Sequence, residues 1–218
     1  MPHTHVLVTD FDGTITRCDF YQLAVERLLQ PSDLQPWDDY RAGRITHFEA
    51  MRRIFSRIRG PESIILDILR DTRPDPALKQ SVDALKEAGW HIVVASAGCE
   101  WYVRRVLDEA GVALEIHANP GSYPEGGPLL LEEPVNSPFH SPELGVDKAG
   151  IVRFYLDKGA VVAYAGDGYT DAPAALLVQP ERRFARGDLA VDLAGRGEAF
   201  IPFDVWSEAV RHLLGTVP

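Results

Sequence analysis

Two aspartates stand one residue apart in VLVTDFDGTIT, as Asp10 and Asp12, where a run of β-favouring apolar residues stops. Carboxylates at the end of an apolar strand cost desolvation free energy unless a positive charge compensates them. A second pair, Asp167 and Asp171 in AGDGYTD, follows another apolar run. Carboxylates so spaced can share Mg²⁺, which takes few of them and fills its remaining positions with water and substrate phosphate. A calcium loop opening at Asp10 would need glycine at its sixth position and glutamate at its twelfth. Those positions are Ile15 and Tyr21, so that chemistry is excluded.

Two further residues complete the set. Ser96 in VVASAG offers a hydroxyl, and its small neighbours Ala97 and Gly98 let backbone N–H groups approach an anion. Lys148 opens a helical pattern and supplies a positive charge. Each has a plain reading when taken singly: GDG as a turn, Ser96 as a helix cap, Lys148 as a solvated side chain. All four in this order on one scaffold carry the functional reading.

The elements that must hold them alternate. Apolar runs at 6–10, 91–97 and 160–166 read as strands, and helical patterns cover 76–88, 100–110 and 147–157. Strands apolar on both faces predict an α/β fold, a Rossmann-like parallel sheet with helices on both faces. In such sheets the working groups gather at the carboxyl ends of the strands, where Asp10, Asp12, Ser96 and Asp167 fall. Residues 15–74 break the alternation: Pro31, Pro36, Gly43, Gly60 and Pro61 punctuate helices with no strand between them. Phe48, Met51, Phe55 and Ile58 share one face there. This predicts an inserted helical cap over the first strand, with the core formed by 1–14 and 75–218. The Pro- and Gly-rich stretch 119–142 reads as a surface hairpin or loop.

Length and composition bound the answer. The 218 residues suffice for one core with a smaller subdomain, and 45% are hydrophobic. Acidic residues outnumber basic ones 32 to 22, for a formal charge of −10, which argues against nucleic acid or an anionic membrane as partner. Two cysteines, no apolar run near the ~20 residues that span a bilayer, and an N-terminus lacking signal-peptide character lead to a cytoplasmic expectation.

Asp10-Phe11-Asp12-Gly13-Thr14, Ser96, Lys148 and Gly166-Asp167-Gly168-Tyr169-Thr170-Asp171 resemble the four motifs of the haloacid-dehalogenase-like phosphatases. The insert resembles the helical cap of the phosphoserine-phosphatase-like subgroup. Within it, DFDGTIT, CEWYV and FARGDLA are most similar to the methionine-salvage enol-phosphate phosphatases, although 134–146 lacks the cysteine-rich stretch those enzymes carry.

The resemblance implies Mg²⁺-dependent hydrolysis of a small phosphorylated metabolite through an aspartyl-phosphate. Asp10 would be the nucleophile and Asp12 the acid and base. The metal set would be Asp10, Asp12 through its backbone carbonyl, Asp167 and Asp171. Ser96, Ala97, Gly98 and Lys148 would hold the phosphate. Asp19 and Arg53 fall where phosphoserine phosphatases hold the substrate amine and carboxylate, so phosphoserine is the alternative substrate.

Rival readings are weaker. Cys99 and Arg105 have the C-x5-R spacing of cysteine-dependent phosphatases, but the residues between are bulky rather than glycine-rich. A receiver-like signalling or binding protein would store phosphate, whereas a second acid at Asp12 suits turnover. Arg41, Arg44, Arg52, Arg53, Arg57 and Arg59 read mainly as a solvated helix face, and His3 with His5 as inert terminal histidines.

Overall fold

The computed structural model describes residues 4–216, so His3 lies outside it. The first strand, β1 (His5–Thr9), is followed by the helices α1 (Phe20–Leu28), α2 (Gln35–Arg41), α3 (His47–Phe55) and α4 (Glu62–Asp71). Then come α5 (Leu78–Glu87), β2 (Trp90–Cys99), α6 (Glu100–Glu109) and β3 (Glu115–Asn119). Two short antiparallel pairs follow, β4 (Gly121–Ser122) with β5 (Leu130–Leu131) and β6 (His140–Ser141) with β7 (Gly145–Val146). The chain continues through α7 (Lys148–Asp157), β8 (Val161–Gly166), α8 (Ala172–Ala175) and β9 (Arg183–Ala185). It closes with α9 (Gly187–Gly195), β10 (Ile201–Pro202) and α10 (Trp206–Thr216).

The main sheet runs β10-β9-β8-β1-β2-β3 and is parallel throughout. Burial on both faces requires strands without a polar side, and Val6, Leu7 and Val8 of β1 are completely buried. Leu7 belongs to the larger cluster, which includes the helical insert and α10, and Val6 and Val8 to the one under α7 and α9.

The insert leaves and rejoins the core side by side. Thr16 bridges Pro74, Arg17 N donates to Arg73 O at 3.0 Å, and Cys18 N donates to Thr72 O at 2.9 Å. Phe48, Met51, Phe55 and Ile58 face inward, Ile58 from the turn beyond α3. The hairpin expected at the surface is present but serves packing: Tyr123, Leu129 and Leu131 are buried. Leu129 N donates to Ile58 O at 3.0 Å and Tyr123 OH donates to Gly60 O at 2.7 Å, tying hairpin to insert. Arg41, Arg44, Arg52, Arg53 and Arg57 pair with carboxylates at the surface.

Arg183 is a buried arginine in a core strand. Its guanidinium donates to the carbonyls of Ala175, Val178 and Ala199 at 2.9–3.0 Å and to Glu198 Oε2 at 2.9 Å. An orphaned buried carbonyl costs roughly 1–3 kcal/mol. Arg183→Met should therefore lower unfolding free energy by about 3–5 kcal/mol, read as an earlier urea midpoint; an unchanged midpoint would show the carbonyls have no need of it. Among the described residues, no helix is long and apolar enough to cross a membrane.

Candidate active site

The carboxyl ends of β1 and β8 are adjacent because the strands pair in register, Thr9 opposite Ala165. Asp10 and Asp167 follow directly on each. Thr14 Oγ1 donates to Asp167 Oδ1 at 3.1 Å, holding the two loops together. Gly13 makes this approach possible: its φ is +73°, and a Cβ there would lie 2.1 Å from Asp167 Oδ2. One oxygen each from Asp10, Asp167 and Asp171 lies within 4.8 Å of the others.

Lys148, the first residue of α7, enters this cluster. Its Nζ lies 2.6 Å from both Asp10 Oδ1 and Asp171 Oδ1, and all three side chains are buried. Burial opposes its charge, but the two carboxylates dominate and raise its pKa well above the ordinary lysine value. Lysine has three N–H donors, so one remains for a ligand.

Asp171 holds the scaffold rather than offering open oxygens. Its Oδ1 accepts from Lys148 and from Tyr164 OH at 2.7 Å; its Oδ2 accepts from the N–H groups of Asp167 and Gly168 at 3.1 and 2.9 Å. Four donors saturate a carboxylate. Asp10 and Asp167 are thus the members with oxygens to spare. Burial, then repulsion from Asp171, pushes Asp167 up to about 6; burial also drives Asp10 well above the usual carboxylate range. The set is oxygen-only, crowded and short of positive charge, which suits a hard divalent cation.

The Asp12 side chain turns away from this cluster. Its Oδ1 accepts from Phe20 N at 3.0 Å and its Oδ2 from Tyr102 OH at 2.5 Å. Burial, then the neighbouring Asp19, raises it to about 8, against the opposing pull of those two hydrogen bonds. A group so placed holds a proton at neutral pH. Gly98 keeps the contact open, since a Cβ there would fall 1.8 Å from Tyr102 OH.

Ser96 is buried, and its Oγ accepts from Gly98 N at 3.0 Å. The helix read over 100–110 begins at Glu100 with Cys99 at its N-cap, so Ser96 does not cap it, and β2 reaches Cys99 through a register irregularity between Ala95 and Cys99. Ser96, Ala97 and Gly98 nevertheless line one cavity with Asp10, Asp12, Asp19, Lys148 and Asp167. Asp19 caps α1 by accepting from Gln22 N at 3.2 Å, and burial raises its pKa. Arg53 is not among the lining residues: its Nε donates to Glu49 Oε1 at 2.6 Å, and its side chain is 46% exposed. Cys99 is buried with its thiol pushed up to about 12, and Arg105 pairs with Glu62 and lies over Trp101.

The family profile of haloacid dehalogenase-like hydrolases matches residues 7–176, a span holding Asp10, Ser96, Lys148 and Asp171. The chain belongs to the haloacid dehalogenase-like hydrolases. Among relatives of this hydrolase, the 2-hydroxy-3-keto-5-methylthiopentenyl-1-phosphate phosphatase of Bacillus pumilus (strain SAFR-032) is 28% identical over 174 residues, 78% of this chain and 74% of its own. The enzyme of the same name from Bacillus velezensis is 23% identical over 211 residues, 95% of this chain and 89% of its own. Phosphoserine phosphatase from T. onnurineus superposes with a TM-score of 0.63 at 18% identity, covering 100% of this chain and 98% of that one. A likeness at that identity is one of fold.

Two partners in the hydrolase site were not singled out in the sequence. Tyr102 read as one more residue of an amphipathic helix, and Tyr164 as part of an apolar strand. Both rings are buried, and only their hydroxyls reach the carboxylates of Asp12 and Asp171. For Tyr164, a tyrosine inside an otherwise aliphatic run was the available signal, since its hydroxyl needs a partner when buried.

Proposed function

We propose that this hydrolase is a Mg²⁺-dependent phosphomonoesterase that acts on a small phosphorylated metabolite through an aspartyl-phosphate on Asp10. The observation that carries the reading is Lys148 Nζ bridging Asp10 and Asp171 at 2.6 Å beside Asp167. Asp10 attacks phosphorus, and splitting the reaction into two transfers lowers each barrier. Asp12 gives its proton to the leaving oxygen and then takes one from the attacking water. Lys148 and the Ser96–Gly98 segment hold the phosphate oxygens. Asp10 and Asp167 would hold the cation, which supplies the positive charge that lets an anionic carboxylate approach an anionic phosphate.

Residues 15–74 act as a cap, the core being 1–14 and 75–218. The paired connectors at Thr16 and Pro74 support that division. The similarity to 2-hydroxy-3-keto-5-methylthiopentenyl-1-phosphate phosphatases favours an enol phosphate of that type as substrate. Phosphoserine is the second reading, on the likeness of fold and on Asp19 in the cavity.

The test is phosphate release from a panel of small esters that includes both, with Mg²⁺ and with EDTA, from pH 6 to pH 9. Release requires metal, concentrates on one ester, and declines as pH rises through about 8, where Asp12 loses its proton. No release from any ester by folded protein with metal present would turn the reading toward a binding or signalling role.

A further inference from the structure

The reaction cavity has two unlike ends. The core end is acidic: six aspartates line it, and Lys148 is the one lysine or arginine among the described lining residues. Lys148 is already shared between Asp10 and Asp171. The cap end is made by Tyr21, Trp37, His47 and Met51. No cation stands there to meet a negative group on the organic part of a substrate, and Arg53 is held outside by Glu49.

His47 is set within that wall. Its ring packs against Trp37 at 5.1 Å and Tyr40 at 5.5 Å between centroids, which fixes its orientation. Its Nδ1 is buried with no hydrogen-bond partner, so the ring can meet a ligand only through its other nitrogen. Burial lowers its pKa, and Lys148 adds to the effect against the pull of Glu143. An orphaned buried N–H is rarer than an orphaned lone pair, which favours the proton on Nε2. His47 then presents an uncharged donor, beside a thioether and two aromatic rings, to whatever projects from the phosphate.

We infer that Trp37, His47 and Met51 form the specificity wall of this site, accepting phosphate esters whose organic part is uncharged and carries an oxygen acceptor, and refusing esters that carry a carboxylate. This rests on the phosphomonoesterase reading and sets phosphoserine aside. The refusal follows from charge: a carboxylate placed here loses water, faces aspartates and finds no cation, and an unpaired buried charge is a strong basis for discrimination. The acceptance follows from shape and dispersion, with one hydrogen bond to fix the orientation.

A matched pair of probes tests it. Glycerol 3-phosphate and 3-phosphoglycerate differ at the end away from the phosphate, hydroxymethyl in one and carboxylate in the other. The wild-type protein with Mg²⁺ should show kcat/KM at least tenfold higher for glycerol 3-phosphate, and Met51→Arg should shrink that ratio by supplying the missing cation. Acetyl phosphate, an acyl phosphate whose spontaneous hydrolysis is subtracted, serves as the probe too short to reach the wall. His47→Phe should lower the ratio of glycerol 3-phosphate to acetyl phosphate about tenfold, mainly through KM, and His47→Gln should restore most of it. Equal use of the matched pair, or a His47→Phe ratio equal to wild type, overturns the inference while leaving the hydrolase intact. No hydrolysis of any of the three probes overturns the phosphomonoesterase reading, and the specificity wall falls with it.

Discussion

Exchanging Asp10 for asparagine should stop turnover, by at least a thousandfold, while leaving the protein folded. The amide keeps the shape and can still accept from Lys148, but it cannot form a bond to phosphorus that water later cleaves. The stability change has a definite sign. Burial raises the Asp10 pKa well above its usual range, so the native state binds that proton more tightly than the unfolded chain does. Stability contributed by such a group is therefore lost as pH rises from the unfolded carboxylate range upward. Asp10→Asn removes this penalty, and the metal-free variant should melt at or above the wild-type temperature, by a margin that grows between pH 5 and pH 8. Steady-state phosphate release and thermal melts across that range check both halves. Retained turnover in a clean preparation would remove Asp10 from the nucleophile's place.

Lys148→Met should be the most destabilising single exchange in the site. It leaves Asp10, Asp167 and Asp171 clustered within 4.8 Å without their lysine. Breaking a buried ion pair by removing one partner typically costs about 3–5 kcal/mol. The loss should be smaller at pH 5 than at pH 8, because protonating the acids relieves their repulsion. Added Mg²⁺ should raise the melting temperature of Lys148→Met more than that of wild type, since a divalent cation at Asp10 and Asp167 replaces the missing charge. Activity should fall at least a hundredfold, and Lys148→Arg should recover stability better than turnover. Urea titrations at both pH values with and without metal decide the point; a Lys148→Met protein as stable as wild type would mean the three acids share protons without help from the lysine.

Residues of uniform character were the legible ones. The runs at 6–10, 91–97 and 160–166 became β1, β2 and β8 within a residue or two, because central parallel strands must be apolar on both faces. The outer strands β3, β9 and β10 escaped notice. β3 carries Glu115 and His117, which bond each other at 2.8 Å, and β9 opens with the buried Arg183, so neither reads as an apolar run. β10 has only two residues. In the site, the charged residues stood out because charge at a strand end demands an explanation. The hydroxyls of Tyr102 and Tyr164 did not, because a buried aromatic ring already explains itself by packing. The wall at Trp37 and His47 was equally hidden: it depends on how α2 and α3 cross, which no local pattern encodes.

β1 precedes the other strands of its sheet in chain order yet sits in the middle of that sheet, between β2 and β8. Its Thr9 also accepts a hydrogen bond, 3.1 Å long, from Trp206 in α10. On a ribosome, the strand that leads into Asp10 and Asp12 is thus made early and enclosed late, after more than 150 further residues have emerged. Such long-range pairing is slow and leaves apolar surface exposed in the interval. A chain stopped before β8 would hold both aspartates, yet it would lack Asp167, Asp171 and one of the two strands that pair with β1. Assembly order therefore withholds the carboxylate–lysine cluster until β8 and the turn after it have emerged.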